Sequence, residues 1–233
     1  MQLQTTIQAR RPVPIAAHSA HFEGWASAAV PHMLFGSPEL TSIAIAFDRN
    51  AEIYGEGEPA EYVYKVISGA VRSYKVLNDG RRQINAFYLP SDIFGLELGG
   101  EHTWSAEAVA DCVIAMVKRR LVLGVAERDA DVARELWSLT AGELCGARNH
   151  ALLLIKSAQE RVAAFLLEMS QRVAGSSSVE LPMGRQDIAD YLGLTIETVS
   201  RTLTQLESAH TIELLASRSI VLRNRSVLSS LNG

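Results

Sequence analysis

The sequence predicts an α+β fold in which an N-terminal double-stranded β-helix, a jelly-roll barrel, precedes a long helix and a C-terminal winged helix-turn-helix. Three observations predict it. Short alternating apolar runs separated by turn residues occupy residues 43–118. A seam of apolar and small residues at spacings of three and four follows over residues 131–157. Residues 185–206, RQDIADYLGLTIETVSRTLTQL, then show two short amphipathic helical patterns around a glycine.

These patterns divide the chain into four segments. We predict a flexible arm over residues 1–24, a β-barrel of the sensor or effector type over 25–130, a dimerisation helix over 131–157 and the winged helix-turn-helix domain over 158–233. With 233 residues and 48% hydrophobic content, the chain can bury a core in each domain.

The composition also bounds the cellular setting. No run approaches the roughly 18 apolar residues that cross a bilayer. Arg10 and Arg11 are followed by Pro12 and by no apolar signal segment. The two cysteines, Cys112 and Cys145, do not make a disulfide framework. We therefore expect a cytoplasmic protein that does not bind a membrane.

The N-terminal arm carries no clear chemistry. Residues 1–24 lack apolar periodicity, which is typical of a poorly ordered segment. His18, His21 and His32 have no cysteine or carboxylate partner at ligand spacing, so solvated histidines are favoured over a metal site. The chain also has no nucleophile–base arrangement and no glycine-rich phosphate loop. We expect no catalytic residue, no cofactor and no metal.

The sequence of the barrel segment predicts paired strands. Alternating aromatic and β-branched residues around Tyr64 and Val71 predict strands, and Ser68-Gly69 and Asn78-Asp79-Gly80 predict hairpin turns. Cys112 lies in an apolar strand-like run and is predicted to be a buried core thiol.

The long helix carries a heptad seam across nearly three heptads. An internal core helix would also show an apolar stripe, so the pattern by itself leaves a core helix and a dimerisation helix open. Small residues in the seam would allow a second helix to approach closely. Cys145 lies beside the seam and is predicted to be partly buried, with a redox-active thiol as the alternative. The predicted dimerisation residues are Trp137, Thr140, Leu144, Ala147, Ala151 and Leu154.

The last domain begins with an amphipathic helix over residues 161–174 and a loop over 175–178. Residues 212–215 and 219–222 predict a hairpin wing. Arg218 at its tip is placed either to meet a phosphate or to remain an exposed loop arginine.

The helix-turn-helix lies between the loop at 175–178 and the hairpin wing. Its first helix is predicted over Arg185–Leu192, and Gly193 supplies the backbone freedom for the turn. Thr195 is a good N-cap for the second helix. The apolar stripe of that helix is Ile196, Val199, Leu203 and Leu206, all predicted to be buried.

The opposite face of the second helix has the chemistry to read DNA. Glu197, Ser200 and Arg201 project together with Thr204. Arginine donates two hydrogen bonds to guanine, glutamate accepts from cytosine, and a serine hydroxyl contacts either kind of base edge. The alternative is an ordinary Glu197–Arg201 ion pair on a solvated helix. We predict supporting or DNA-backbone roles for Arg185, Gln186, Thr195, Ile196, Thr198, Thr204 and Arg218.

The net charge of −4 at pH 7 is unusual for a nucleic-acid binder. Binding must then depend on where single arginines are placed, and less on non-specific attraction to phosphate.

The segment TIETVSR resembles the recognition helix of the Crp/Fnr family of bacterial transcription regulators. Glu197, Ser200 and Arg201 reproduce the Glu-x-x-Ser-Arg pattern of its Fnr and FixK branches. The resemblance extends through LLLIKSAQERVAAFLLEMSQR and VYKVISGAVRSYKVLNDGRRQINAFYLPSDIFGLE, and covers about residues 30–222. Because residues 1–24 contain no cysteine, the 4Fe–4S centre of the Fnr branch has no ligands here, and the chain is most similar to the FixK-like branch.

The resemblance implies a homodimer, joined through a parallel coiled coil of the helix at residues 131–157, that binds a TTGAT-N4-ATCAA-like palindrome in double-stranded DNA. It further implies activation of genes for microaerobic respiration or nitrogen fixation through RNA polymerase. Arg201 would read guanine and Glu197 the cytosine edge. The tip Asp79, Gly80 and Arg81 would contact the polymerase, with an ordinary hairpin turn as the alternative.

The resemblance also raises the question of an effector. In Crp a glutamate and an Arg-Ser pair clamp cyclic AMP inside the barrel. Here Glu97 stands near the ribose position, but Trp104 takes the place of the arginine, and tryptophan cannot neutralise a phosphate. We expect the barrel to be a scaffold. The alternative is a sensor whose barrel binds another small molecule.

Overall fold

The computed structural model describes residue 35 and residues 39–97, 99–173 and 178–232. The predicted arm, His18, His21, His32 and most of the loop at 175–178 lie outside the described residues.

Eight antiparallel strands form the predicted barrel as two four-stranded sheets. In spatial order, the first sheet contains β1 (Ile43–Phe47), β8 (Cys112–Lys118), β3 (Tyr62–Ser68) and β6 (Ile93–Phe94). The second contains β2 (Glu52–Tyr54), β7 (Ser105–Ala108), β4 (Val71–Val76) and β5 (Arg82–Tyr88). The fold-class prediction for this half of the chain is confirmed.

The alternating sequence of the strands explains the core. Side chains at every second position enter the barrel, where Val66, Phe94 and Ile114 are fully buried. Cys112 is also buried as predicted, and burial raises the pKa of its thiol to about 11. The thiol is therefore an apolar packing group at neutral pH.

One of the two predicted hairpin turns is wrong. Strands β3 and β4, on either side of Gly69, belong to different sheets, so Ser68-Gly69 is a corner of the barrel. Gly69 has a φ of +82°, and a Cβ there would lie 2.4 Å from the backbone oxygen of Asp111. Only glycine fits such a corner. The Asn78-Asp79-Gly80 turn is confirmed, since it joins the paired strands β4 and β5.

Three helices lead out of the barrel: α1 (Arg119–Ala126), α2 (Ala130–Leu153) and α3 (Ala158–Arg172). Helix α2 ends four residues before the predicted Ser157, which leaves Leu154 as its C-cap. The cause is a capping box: the Ser157 hydroxyl accepts from the Glu160 amide, and the Glu160 carboxylate accepts from the Ser157 amide at 2.8 Å. Ser157 therefore begins the next helix.

The second domain is a winged helix-turn-helix, as predicted. Helix α3 packs its buried face, including Phe165 and Met169, against α4 (Arg185–Leu192) and α5 (Ile196–Ser208). The wing is a three-stranded sheet in the order β10, β11, β9. Its strands are β9 (Ser178–Glu180), β10 (Ile212–Leu214) and β11 (Ser219–Leu222), and α6 (Arg225–Asn232) follows.

No helix within the described ranges is both long enough and apolar enough to span a membrane.

The turn glycine gives a test of the backbone argument. Gly193 has a φ of +62°, and a Cβ there would meet its neighbours only at 3.4 Å or more, so the cost of Gly193→Ala is backbone strain. We expect the free energy of unfolding to fall by about 1–2 kcal/mol, measured by urea denaturation.

The matched control is Gly124→Ala in α1, where φ is not positive and no atom lies within 4 Å of the added Cβ. This substitution should raise the free energy of unfolding by about 0.5–1 kcal/mol. Equal effects of the two alanines would contradict the assignment of strain to Gly193.

Candidate nucleic-acid interface

The turn between α4 and α5 is held from three directions. Gly193 adopts the left-handed conformation (φ 62°, ψ 39°), as its position in the sequence predicts. The Leu194 amide donates to the Ala189 oxygen at 3.0 Å. From α3, Arg161 donates through Nη1 to the Leu192 oxygen at 2.8 Å. Sequence reasoning missed this role of Arg161, because the helix end that it caps lies 31 residues away.

The N-terminus of α5 follows the prediction in all but one residue. Thr195 Oγ1 accepts from the Thr198 amide at 3.2 Å, which makes it the N-cap. The stripe formed by Val199, Leu203 and Leu206 is buried. Ile196 is 36% exposed, contrary to the prediction, because it lies in the first turn beside a cleft that faces the β4–β5 hairpin.

The exposed face of α5 contains Glu197, Arg201 and Thr204, with Ser200 half-buried beside them. Glu197 and Arg201 do not form the ordinary ion pair that was the alternative. Hydrogen bonds from the Glu197 amide and from the Thr195 hydroxyl instead hold the pKa of the Glu197 carboxyl below its usual value. Arg201 has no hydrogen-bond or ion-pair partner among the residues that the structure describes, so its donors are available to a ligand.

Three of the predicted supporting residues already have partners within the helix-turn-helix. Arg185, the first residue of α4, donates from Nη1 to Ser200 Oγ at 3.2 Å and so bridges the two helices. Gln186 is exposed and donates to Asp190 Oδ1 at 2.7 Å. Thr198 is tied to the Thr195 cap. Hydrogen bonds within the motif therefore already orient these three side chains.

Arg218 lies at the wing but does not project freely from it. Its Nη1 donates to the Pro182 oxygen at 2.9 Å, and the side chain is half-buried. The guanidinium thus faces the loop that precedes α4.

The tip of the β4–β5 hairpin faces α5. Asp79, Gly80 and Arg81 are exposed, and Asp79 Oδ2 pairs with Arg81 Nε at 2.7 Å. The cleft between this tip and the start of α5 is lined by residues that include Leu77, Arg81, Gln186, Ile196 and Glu197.

Helix α2 leaves its predicted seam uncovered in the single chain. Trp137 is 78% exposed and Leu144 54% exposed. Thr140, Ala147 and Ala151 are exposed as well, whereas Leu154, at the C-cap, is half-buried. Cys145 is exposed, so its predicted partial burial is wrong for the single chain, because no other described element of this chain covers that face of α2.

The barrel interior is occupied by rings. Tyr54 stacks on His102 with 3.6 Å between centroids, and Phe94 stacks on Tyr64 at 5.1 Å and on Tyr88 at 4.8 Å. Glu97 Oε2 lies 3.3 Å from His102 Nδ1, so the carboxylate already has a partner.

Trp104 is half-buried and lines a cavity between the barrel and α2. Its ring lies 5.4 Å from Lys75 Nζ, which pairs with Glu56. These residues do not fit a phosphate clamp.

Sequence reasoning also missed a buried group of charges between the two domains. Its members are Arg72, Arg82, Glu107, Asp187 and Asp190. The only signal in the sequence is a pair of aspartates three residues apart on α4. Within the described ranges, no group of three or more histidine, cysteine or carboxylate side chains is arranged to hold a metal ion.

Two family models match the chain. The model of the Crp-like helix-turn-helix domain matches residues 160–231, and that of the cyclic nucleotide-binding domain matches residues 44–129.

Two curated relatives and a solved structure are similar to this chain over most of its length. The nitrogen fixation regulation protein FixK of Azorhizobium caulinodans is 51% identical over 192 residues, which are 80% of this chain and 77% of the relative. FixK of Rhizobium meliloti is 43% identical over 181 residues, covering 77% of this chain and 82% of the relative. The structure of FixK2 from Bradyrhizobium japonicum is 54% identical and superposes with a TM-score of 0.81, covering 83% of this chain and 98% of that one.

The Thr195 cap makes a prediction for the neighbouring carboxylate. Thr195→Ala removes a hydroxyl that donates to Glu197, so the pKa of Glu197 should rise towards its ordinary value, measured by NMR titration of the side chain. Loss of the cap should also lower the free energy of unfolding by about 1 kcal/mol.

Because the pKa of Glu197 is lowered in the folded protein, its stabilising contribution is present above the unfolded-state pKa and is lost as the pH falls through the folded-state value. Thr195→Ser keeps the hydroxyl and is the control. An unchanged titration of Glu197 in Thr195→Ala would show that the hydroxyl does not act on it.

Proposed function

The chain belongs to the Crp/Fnr family of transcription regulators, and from this premise we propose that it binds a TTGAT-N4-ATCAA-like palindrome as a homodimer. The observation that carries the proposal is the exposed guanidinium of Arg201 beside the ionised carboxylate of Glu197 on α5.

The two side chains suit opposite members of a G·C pair. Arg201, with no partner among the described residues, donates to guanine O6 and N7. Glu197, kept ionised by its hydrogen bonds, accepts from cytosine N4. Ser200, held by Arg185, tunes the neighbouring base position.

Contacts to the DNA backbone fix the register of these base contacts. Around the N-termini of α4 and α5, Gln186, Thr195 and Thr198 would contact phosphates, because helix N-termini attract anions. Arg185, Ile196, Thr204 and Arg218 support the same surface. With a net charge of −4, the protein gains less than a basic one from non-specific phosphate attraction.

The seam of α2 provides the two-fold symmetry that a palindrome requires. A helix of 24 residues with only Val132 and Leu153 buried needs a partner for its apolar stripe. A second copy of the same helix, running parallel, covers the stripe from Trp137 to Ala151.

The regulated genes are inferred from the relatives. Because the FixK proteins are named for the regulation of nitrogen fixation, we infer that this protein controls genes of nitrogen fixation or microaerobic respiration in the cytoplasm. It would act as an activator, with Asp79, Gly80 and Arg81 contacting RNA polymerase from the exposed hairpin tip. The ring-filled barrel supports a scaffold that needs no cyclic nucleotide.

Binding by the purified, ligand-free protein tests the proposal directly. Fluorescence anisotropy with the palindrome and a scrambled duplex, in air at about 0.1–0.2 M salt, should show specific binding at nanomolar concentrations. Equal, weak binding to both duplexes would contradict effector-independent operator recognition, and a screen for ligands that raise the melting temperature would follow.

Removal of the guanidinium should remove base discrimination. We expect Arg201→Ala to reduce the preference for the palindrome over the scrambled duplex by at least about tenfold, since a bidentate contact contributes about 1–3 kcal/mol in each half-site. Size-exclusion chromatography should show an unchanged dimer. Arg128→Ala, at an exposed ion pair of the barrel domain, is the control. A preference retained in Arg201→Ala would refute its base-reading role.

A charge in the α2 seam should separate the subunits. We expect Leu144→Arg to give monomers by light scattering, because an arginine at the centre of a helix pair is desolvated without a partner. Leu121→Arg, at an exposed leucine of α1, should remain dimeric. A dimeric Leu144→Arg variant would place the interface elsewhere.

A further inference from the structure

The barrel and the helix-turn-helix domain meet at an apolar contact. Phe87 of β5 packs against Tyr191 of α4 and Phe165 of α3, with 5.4 Å and 6.3 Å between ring centroids. Apolar packing is largely non-directional, so these rings contribute more to holding the domains together than to orienting α4.

Beside the rings lies the charged group. Arg72 of β4 donates from Nη1 to Asp187 Oδ1 at 2.9 Å and from Nη2 to Glu107 Oε1 at 2.5 Å. Arg82 of β5 donates from Nη2 to the same Asp187 oxygen at 2.6 Å and from Nε to Asp190 Oδ2 at 2.8 Å. Four directional bonds therefore connect these five side chains, and three of the bonds cross between the domains.

This group is shielded from water. The Arg72 and Asp187 side chains are 7% and 12% exposed, and those of Arg82 and Asp190 are 24% and 12% exposed. Buried ion pairs contribute little net stability, because desolvation opposes the attraction, whereas the loss of one partner is costly. Planar guanidinium groups with two bonds each also fix angles as well as distances. The charged group is therefore suited to fixing the orientation of α4 relative to the barrel.

Asp187 and Asp190 connect the charged group to the start of α4, and α4 is bonded to α5, the helix that carries Arg201. Asp187 Oδ2 accepts from the Gly184 amide at 3.3 Å, directly before Arg185. Asp190 Oδ1 accepts from Gln186 at 2.7 Å. Helix α4 is in turn bonded to α5 through Arg185 and Ser200. An orientation imposed on α4 is thus imposed on Arg201.

We propose that Arg72 and Arg82 are positioning residues for DNA recognition, which act through Asp187 and Asp190 to fix the orientation of the helix-turn-helix on the barrel. The inference rests on the proposed function. In a homodimer joined through α2, two recognition helices reach successive major grooves only if their separation matches one turn of DNA, about 34–36 Å. Phosphate contacts tolerate a misplaced helix far better than base contacts do.

The experiment compares full-length Arg82→Met, which removes the charge, with Arg82→Lys, which keeps it, and with Arg128→Met, which removes an exposed arginine of the barrel domain. Asp190→Asn is the second variant should Arg82→Met fail to fold. Circular dichroism establishes a temperature at which every variant is folded. Two readouts follow there: hydrogen–deuterium exchange, and affinity for the palindromic and scrambled duplexes.

In Arg82→Met we expect faster exchange confined to α4 and to β4–β5, with the core of α3 unchanged, since only the domain contact is weakened. Affinity for the palindrome should fall about tenfold, equivalent to about 1.4 kcal/mol, while affinity for the scrambled duplex changes far less. Arg82→Lys should recover part of both effects, and Arg128→Met should match the wild type.

Unchanged exchange in α4 would overturn the proposal, as would a parallel fall in both affinities with faster exchange throughout the chain, which is the signature of a purely structural role. If the wild type fails to prefer the palindrome, the proposed operator is wrong, and the exchange experiment by itself decides whether Arg82 holds α4.

Discussion

The carboxylate of Asp187 is the point at which the parts of this molecule are joined. It lies in the first turn of α4, accepts from the backbone amide that precedes the helix, and receives an arginine from each of two adjacent barrel strands. A buried carboxylate without these donors would be strongly unfavourable. The start of α4, its contact with the barrel and its orientation therefore all involve this one carboxylate.

At the contact between the two domains, apolar side chains provide the attraction and charged side chains provide the orientation. The aromatic rings of Phe87, Phe165 and Tyr191 remove apolar area from water and hold the two domains in contact. The arginines add direction. The same division recurs in the helix-turn-helix, where Val199 and Leu203 hold the helices together while Arg161 and the left-handed Gly193 set the turn.

The charge distribution fits a protein in which DNA recognition depends on the positions of individual arginine side chains. The chain is acidic overall, and Arg72 and Arg82 are neutralised within the protein. The Arg201 guanidinium has no hydrogen-bond or ion-pair partner within the described ranges. An available guanidinium next to an ionised glutamate has the chemistry that the proposed base recognition requires.

The sequence determined the local structure: the two-residue alternation of the strands, the stripe of α5, the Thr195 cap and the glycine turn all arise from neighbours a few residues apart. Prediction failed where a distant partner decided the outcome. Ser68-Gly69 became a corner because β3 and β4 pair in different sheets, and Ile196 stayed partly exposed because it borders a cleft facing the hairpin. Only the tertiary structure could bring Arg72 to Asp187 across 115 residues, because no periodicity or local propensity records which charges the packing of two domains will enclose together.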